Sequence, residues 1–488
     1  MTKLSRIVLW SSAVILACVL LALLGGSSRK RGSLQGYLAE LRAQGEKLTF
    51  EELTLGRETN RVDSQVVITN AAAKLGGARV SPGLLDLRKY AAAGRARVTW
   101  KQASPTWSPS AGASSDGTWE EFNAQMQAAQ DTLQEIRQAL KAPEADAGPC
   151  TNMILGRRVN FVAIRTVAQW LMGAAENDLH QGRLEAALQN LEALAGLAWM
   201  ERDEYTLVAQ MIRVAVTGLG LSATWDALQA PGWTEPQLER LQKAWEPVDL
   251  LEAVEKGFVG ARAAGHESFI KVRHSSGPQT GRLFRGVLSM GPVSSKATVE
   301  NVLMDYLYLP VYKLAFINED ERFYLTTMQQ SIAALRLVKA HRPWPEVRQA
   351  TLNAGARLNT LAGSAGKFRY LVSLISVPNF PRASERAVQA ETERQMTLTA
   401  IALKRYQLRQ GQLPPALQAL VPEFLAAVPY DYLGSKPLAY RLNPGGGYVL
   451  YSIGEDGKDD GGDPNPPQVK SPGLWEGRDA VWPIAAEE

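Results

Sequence analysis

The chain has few of the residue types that build disulfide frameworks and zinc sites. Its 488 residues include two cysteines, Cys18 and Cys150, and four histidines. Two distant cysteines exclude a disulfide-stapled scaffold and are compatible with either side of a membrane. The histidines are scattered and do not have the close spacing of a zinc site, so a zinc enzyme is not expected.

The chain also lacks a large excess of charge of either sign. Its 53 lysines and arginines nearly balance 49 acidic residues, giving a formal charge of +4, and there is no long basic run. Nucleic-acid binding therefore has little electrostatic support. With 45% hydrophobic residues the chain can build packed cores, and its length favours two or more folded units.

No convincing catalytic motif is present. Ser364 and Lys367 match the Ser-x-x-Lys arrangement of penicillin-recognising enzymes, but the partner motifs of that class are missing. The stretch from Gly363 to Lys367 is not a phosphate-binding loop, because it lacks the first glycine and the hydroxyl residue after the lysine. The sequence thus indicates no reaction, although it leaves open an enzyme whose site has no local motif.

An apolar segment near the N-terminus predicts a membrane anchor. Residues 7–24 are uncharged and mostly aliphatic, just long enough for a helix to cross a bilayer. The segment lacks an Ala-x-Ala-like cleavage site, and its apolar run continues past Cys18, against a lipoprotein. Flanking charges leave the orientation undecided. The short tail, residues 1–6, favours a cytoplasmic N-terminus, an inner-membrane anchor and a chain exported to the periplasm.

The next region is predicted to be mainly helical. Residues 25–117 are a juxtamembrane region of short helices and a linker, and residues 118–381 form a helical domain. Capping-box patterns begin at Thr49 and Thr118. The segment 174–197 resembles a tetratricopeptide helix-turn-helix, with Gly182 at the turn.

Three details of this region are further expectations. Residues 66–69 and 97–100 are predicted strands, and residues 266–295, rich in glycine and serine, are predicted to form a surface loop. Six aromatic residues between Tyr306 and Tyr324 occur at helical spacing, which favours a place in the core over a ligand groove.

Residues 382–488 are predicted to form a small α+β domain. A long helix, residues 385–409, is followed by two strands joined through residues 443–446, and then by a glycine-broken loop. The loop carries five carboxylates between Glu455 and Asp463, which would repel one another unless a cation neutralised them.

This ending resembles the globular part of the major pseudopilin of type II secretion systems. The resemblance covers about the last hundred residues, and its motifs are 402–406, 411–414, 417–420, Pro429 with Asp431, 436–440 and 451–457. The whole chain is also similar to membrane-anchored proteins of planctomycete and verrucomicrobial bacteria that combine helical repeats with this ending. The prepilin-peptidase site of pseudopilins is missing, so normal processing is not expected.

The resemblance implies a structural calcium ion bound by Asp456, Asp459, Asp460 and Asp463, with backbone carbonyls completing the shell. The alternative is a solvated surface turn, since Asp and Gly are common turn residues. The leading hypothesis is a non-enzymatic, membrane-anchored envelope protein that binds a protein partner, in a role linked to secretion or envelope assembly. A membrane-tethered periplasmic hydrolase with its site in the helical domain, and an atypical minor pseudopilin, remain alternatives.

Overall fold

The computed structural model describes residues 27–55, 64–75, 88–105, 118–141, 160–200, 202–289, 299–376, 380–468 and 472–487. Within these ranges the protein is mainly helical with a small sheet part near the C-terminus, which confirms the predicted fold class at this level. The tail 1–6, the anchor 7–24 and most of the predicted linker 104–117 lie outside the described residues.

Seventeen α-helices lie in the described residues. They are α1 (residues 27–43), α2 (Phe50–Thr54), α3 (Ser64–Leu75), α4 (Trp119–Ala128), α5 (Gln130–Lys141), α6 (Phe161–His180), α7 (Leu184–Met200), α8 (Leu207–Leu228), α9 (Glu235–Trp245), α10 (Leu250–His274), α11 (Gly277–Ser289), α12 (Val299–Leu303), α13 (Leu309–Ala315), α14 (Ile317–Lys339), α15 (Trp344–Ala362), α16 (Leu371–Ser376) and α17 (Phe380–Gln410). A π-helical turn, Met304–Tyr308, joins α12 to α13.

The strands are short. They are β1 (Lys89–Ala92), β2 (Arg95–Arg97), β3 (Tyr430–Asp431), β4 (Lys436–Pro437), β5 (Ala439–Leu442), β6 (Tyr448–Ser452), β7 (Ala480–Val481) and β8 (Ile484–Ala485). They form a sheet of order β1-β2-β8, the pair β3-β4, and a sheet of order β5-β6-β7.

The chain divides into two compact units that do not follow chain order. Unit 1 comprises Met1–Leu55, Phe258–Ala333 and Ala350–Pro381, and unit 2 comprises Gly56–Gly257, Ala334–Gln349 and Arg382–Glu488. Helices α10, α14 and α15 each contribute residues to both units, so the chain passes between the units inside continuous helices.

Unit 1 is held together by buried ion pairs. Arg262 of α10 is fully buried, and its guanidinium donates to Glu46 at 2.8 Å and to the Lys47 carbonyl at 2.9 Å. Gln329 of α14 donates to the other oxygen of Glu46 at 2.9 Å. The loop after α1 is thereby tied to two helices that lie more than two hundred residues later in the chain. Such a buried charge is tolerable because the fold supplies a carboxylate and a carbonyl oxygen as its partners.

Unit 2 contains the predicted helical hairpin. Helices α6 and α7 are antiparallel neighbours, and Gly182 occupies the turn with φ +71°, a conformation that suits glycine. Helix α8 packs against both and buries Trp225 completely. At Gly220 an added Cβ would lie 2.3 Å from the Trp245 ring, so glycine permits the close approach of α9.

The C-terminal part follows the predicted order of helix, hairpin and acidic loop. In the hairpin, Ala439 pairs with Tyr451 and Leu442 with Tyr448. The buried Asp431 accepts hydrogen bonds from the Ser452 hydroxyl at 2.8 Å and from the Ile453 amide at 3.0 Å. This carboxylate therefore fixes the end of β6, and burial raises its pKa.

Four local predictions were wrong. The predicted strand at residues 97–100 does not form, since β2 ends at Arg97 and a 3-10 turn occupies Thr99–Lys101. Residues 66–69 lie in α3, because Ile68, Ala71 and Ala72 are buried at helical spacing. Residues 266–295 are not a surface loop where they are described, since α10 runs to His274 and α11 follows at once. His266 itself is buried, and its Nδ1 lies 2.5 Å from Glu321. The six aromatic residues between Tyr306 and Tyr324 lie only partly in the core, because Tyr306 is exposed.

Candidate functional site

The predicted calcium ligands lie in one loop between β6 and β7. Backbone φ angles of +70° to +79° occur at four glycines in and beside it, Gly454, Gly457, Gly461 and Gly462. These glycines let the chain reverse direction repeatedly, as turn residues are expected to do. The four aspartates are close along the chain, but the carboxylates of Asp456, Asp459 and Asp463 have separate partners, and Asp460 takes part through its backbone amide.

Two of these carboxylates close local turns. Asp456 accepts from the Lys458 amide at 3.0 Å, and Asp459 accepts from the Gly461 amide at 2.9 Å. Asp463 pairs with the Arg478 guanidinium at 3.0 Å. Hydrogen bonds from the Asn465 backbone and side chain lower the pKa of Asp463.

The centre of the loop is occupied by another carboxylate, Asp479, which immediately precedes β7. It is fully buried and accepts from the amides of Gly462 at 2.7 Å, Asp463 at 3.2 Å and Asp460 at 3.4 Å. Burial raises its pKa. Backbone N–H groups that converge in this way favour an anion, and here the protein supplies that anion itself.

The described geometry of the loop is thus that of a turn wrapped around Asp479. In the part of the chain that the structure describes, no group of three or more acidic, histidine or cysteine side chains is placed to hold a metal ion. A calcium ion on the four predicted aspartates would require their side chains to turn towards one another. The calcium site stays a prediction.

A second site, absent from the sequence predictions, is a carboxyl pair in the core of unit 2. Glu176 of α6 and Asp226 of α8 are both buried and face each other. Asp226 accepts from the Thr99 amide at 2.9 Å and from the Thr99 hydroxyl at 3.0 Å. No protein N–H group among the described residues donates to the Glu176 carboxyl.

Burial raises the pKa of both carboxyls. That of Asp226 rises to about 7, and that of Glu176 rises well above its ordinary value because the neighbouring Asp226 adds to the effect of burial. Two carboxyls in contact cannot both ionise easily, so the pair holds a proton near neutral pH. A carboxyl group that keeps its proton near neutral pH can act as a general acid. The cavity beside this pair, however, limits the size of a molecule that can contact it.

The cavity at this pair is small. It has a volume of about 20 Å³ and is lined by Glu176 and by apolar residues that include Trp119, Phe122 and Met172. Such a volume holds one water molecule. The pair can therefore exchange a proton with a single water, but a substrate would enter only if α4 moved.

A surface groove lies between α5, α7 and α9 of unit 2. Its volume is about 420 Å³, and its lining comprises Arg137, Leu140, Lys141, Gln189, Glu192, Ala193, Arg240, Lys243 and Ala244. Four of these residues are cationic and one is acidic. The groove thus combines an apolar floor with cationic edges.

One edge of the groove is rigid. Arg240 forms a two-pronged bond to Glu192, at 3.0 and 2.8 Å, and also pairs with Glu185 at 2.7 Å. These two carboxylates raise the pKa of Arg240 and hold α9 to α7. On the floor, a Cβ added at Gly196 would lie 2.9 Å from the Leu140 carbonyl oxygen, so α5 approaches α7 closely.

Sequence reasoning missed Glu176, Asp226 and Asp479. Asp226 offered one signal, its isolation between Trp225 and Ala227 in a largely uncharged helix, whereas Glu176 and Asp479 have the charged neighbours Asp178 and Arg478. A lone acidic residue on an apolar helix can be buried when its carboxyl is protonated or when the fold supplies a hydrogen-bond donor. The partner that makes this possible comes from another helix, so local patterns cannot reveal it.

One described helix, Leu207–Leu228, is long and apolar enough to cross a membrane by length and composition alone. The interior helices of soluble proteins pass the same test, and 67% of its apolar window is buried inside the protein.

Comparison with known proteins adds no relative: no family model, no curated protein and no solved structure matches this chain.

Proposed function

We propose that this protein is a membrane-tethered binding protein. Residues 7–24 anchor it in the inner membrane, and the rest of the chain lies in the periplasm. Its helical part, with the tetratricopeptide-like hairpin of α6 and α7, binds a protein partner. The pseudopilin-like ending is stabilised by calcium at Asp456, Asp459, Asp460 and Asp463, in a role linked to secretion or envelope assembly.

The observation that supports binding most directly is the open groove between α5, α7 and α9. An apolar floor supplies non-directional affinity, while charged edges select and orient a partner. Because cations outnumber acids four to one along its lining, the partner segment presents acidic and apolar side chains. The groove holds no convergent pair of acid and base that would suit catalysis.

Site-specific photocrosslinking in living cells tests this proposal. Gln189 lies in the groove, and replacing it with a photoreactive phenylalanine analogue should give a discrete crosslinked species. The same analogue at the exposed Gln412 is the matched control. Charge reversal by Lys141→Glu together with Lys243→Glu should remove the adduct. Equal adducts at both positions, or an adduct that survives charge reversal, would argue against the groove as the binding site.

The second candidate is a membrane-tethered hydrolase, which the Glu176–Asp226 pair favours. Two convergent carboxyls with raised pKa values are the arrangement that acid–base catalysis uses. Under this alternative, Glu176→Gln abolishes the cellular function while the crosslink from the groove is retained. Under the binding proposal, the same substitution leaves both intact.

A further inference from the structure

Unit 1 exposes an apolar stripe along one helix. Between α12 and α13 the residues Val299, Val302, Leu303, Tyr306, Leu307 and Val311 follow steps of three and four, and each is between 41% and 77% exposed. These six residues are called the apolar stripe below. Such spacing places them on one helical face, which a water-soluble surface would normally bury.

The helical segment that carries the stripe buries the carboxylate of Asp305 on one face and exposes the apolar stripe on the other. Asp305 is buried and pairs with both nitrogens of the Arg285 guanidinium, at 3.0 and 2.9 Å. Two glycines of α11 allow this approach, because a Cβ at Gly277 would lie 1.9 Å from the Asp305 carbonyl oxygen and one at Gly281 1.8 Å from its carboxylate. The outward direction of the stripe is therefore fixed by specific contacts.

The stripe ends beside the point where the chain emerges from the predicted anchor. Lys30 of α1 donates to the Ala315 carbonyl at 3.2 Å, at the last residue of α13, and pairs with Glu319 at 2.6 Å. Lys30 is only the sixth residue after Leu24, the end of the apolar segment. Six residues span at most about 20 Å, and a helix from Val299 to Ala315 is about 24 Å long.

Cationic and aromatic groups surround this end of the stripe. Tyr308 donates to the Phe368 carbonyl at 2.8 Å, and Phe368 is itself exposed. Lys367 lies 5.1 Å from the Phe368 ring, and Lys30 lies 5.3 Å from the Phe316 ring. Across residues 299–311 the exposed positions carry one charge, Glu300. Apolar residues bordered by lysines and tyrosines are typical of helices that lie in a membrane interface.

We propose that the apolar stripe docks unit 1 onto the surface of the bilayer. The stripe enters the boundary between headgroups and acyl chains, while Lys30 and Lys367 lie at the level of anionic headgroups. This inference rests on the proposed membrane anchor, which brings the stripe within reach of lipid. We choose the bilayer as the surface that covers the stripe, because the anchor limits the distance between the end of the stripe and the membrane.

The test uses the full chain in lipid nanodiscs with phosphatidylglycerol. In a Cys18→Ser, Cys150→Ser background, a single environment-sensitive fluorophore is attached after Leu303→Cys. The matched control is Leu442→Cys, an exposed leucine of β5. With lipids brominated near the headgroup end of the chain, emission from position 303 should fall about twofold or more, since docked apolar faces insert about 5–10 Å. Emission from position 442 should not change.

The outcomes separate the two proposals. Release of the full chain from membranes by alkaline carbonate would overturn the anchor, and with it the proposed function. Retention in the membrane with no quenching at position 303 would overturn docking alone. A label that is shielded from water but not quenched by lipid would show that a protein surface covers the stripe, and this also overturns docking. Leu307→Cys provides a second labelling position on the stripe in case Leu303→Cys disturbs the fold.

Discussion

The buried carboxyl pair makes a quantitative prediction about stability and pH. Asp226 has its pKa raised from an ordinary value of 3.8 to about 7 in the folded protein. The folded state therefore binds a proton that the unfolded state releases between those two pH values. The contribution of Asp226 to stability is fully present below about pH 4 and is lost as pH rises through this window, and the raised pKa of Glu176 continues the decline at higher pH. The raised pKa of Asp226 corresponds to a loss of about 4 kcal/mol.

Glu176→Gln should remove the part of the pH-dependent decline that belongs to Glu176, since glutamine binds no proton, while the part that burial causes at Asp226 remains. The glutamine amide can donate to the Asp226 carboxylate, so Asp226 ionises in the folded state without a like charge beside it. We expect the free-energy advantage of the variant over the parent to grow as pH rises from 4 to 8, because only the parent has a carboxyl with a raised pKa at position 176. Urea unfolding from pH 4 to pH 8, followed by tryptophan fluorescence, measures this difference.

The control is Glu135→Gln, the same chemical change at an exposed position of α5. Glu135 pairs with Lys74 at 2.7 Å on the surface, and such a pair contributes about 0–1 kcal/mol. The control should follow the parent across the pH range. An equal pH slope in the parent and in Glu176→Gln would refute the shared proton.

Two further predictions concern other parts of the fold. Gly277→Ala should destabilise unit 1 by about 1–3 kcal/mol, because the new Cβ would meet the Asp305 carbonyl. Gly36→Ala should instead stabilise α1 by about 0.5–1 kcal/mol, because nothing lies within 4 Å of the added Cβ. Urea unfolding measured by circular dichroism distinguishes the two. If calcium binds the acidic loop, it should raise the melting temperature of the full chain, magnesium should not, and Asp456→Asn with Asp460→Asn should remove the rise. No calcium-dependent rise would leave the loop as a turn around a buried carboxylate.

Local chemistry in the sequence predicted local structure well. The capping boxes at Thr49 and Thr118 are present, with both reciprocal hydrogen bonds formed. Gly182 lies at the turn of the helical hairpin, and residues 443–446 connect two paired strands. Each of these features depends on residues within a few positions of one another, so a single sequence contains the whole signal.

Features that depend on distant partners were not predictable. Asp479, which accepts hydrogen bonds at the centre of the acidic loop, comes sixteen residues after Asp463 in the chain. Glu176 and Asp226 belong to two different helices, α6 and α8. Tyr306 was predicted to lie in the core with the other aromatic residues up to Tyr324, yet it is exposed, because spacing reveals which residues share a face but not whether that face is covered. Only the contacts of Asp305 on the opposite side decide that question.

The division of the chain into two interleaved units has a consequence for how the protein is made. Unit 1 needs residues up to Leu55 and then residues from Phe258 onwards. A ribosome adding roughly 5–20 residues per second takes about 10–40 s to produce the intervening segment. During that time Leu34, Leu38 and Leu41 of α1, which are buried in the finished protein, have no partner helix from unit 1. The first folded helices belong to unit 2, and a nascent chain released before residue 258 would carry an uncovered amphipathic helix, a natural signal for quality-control proteases.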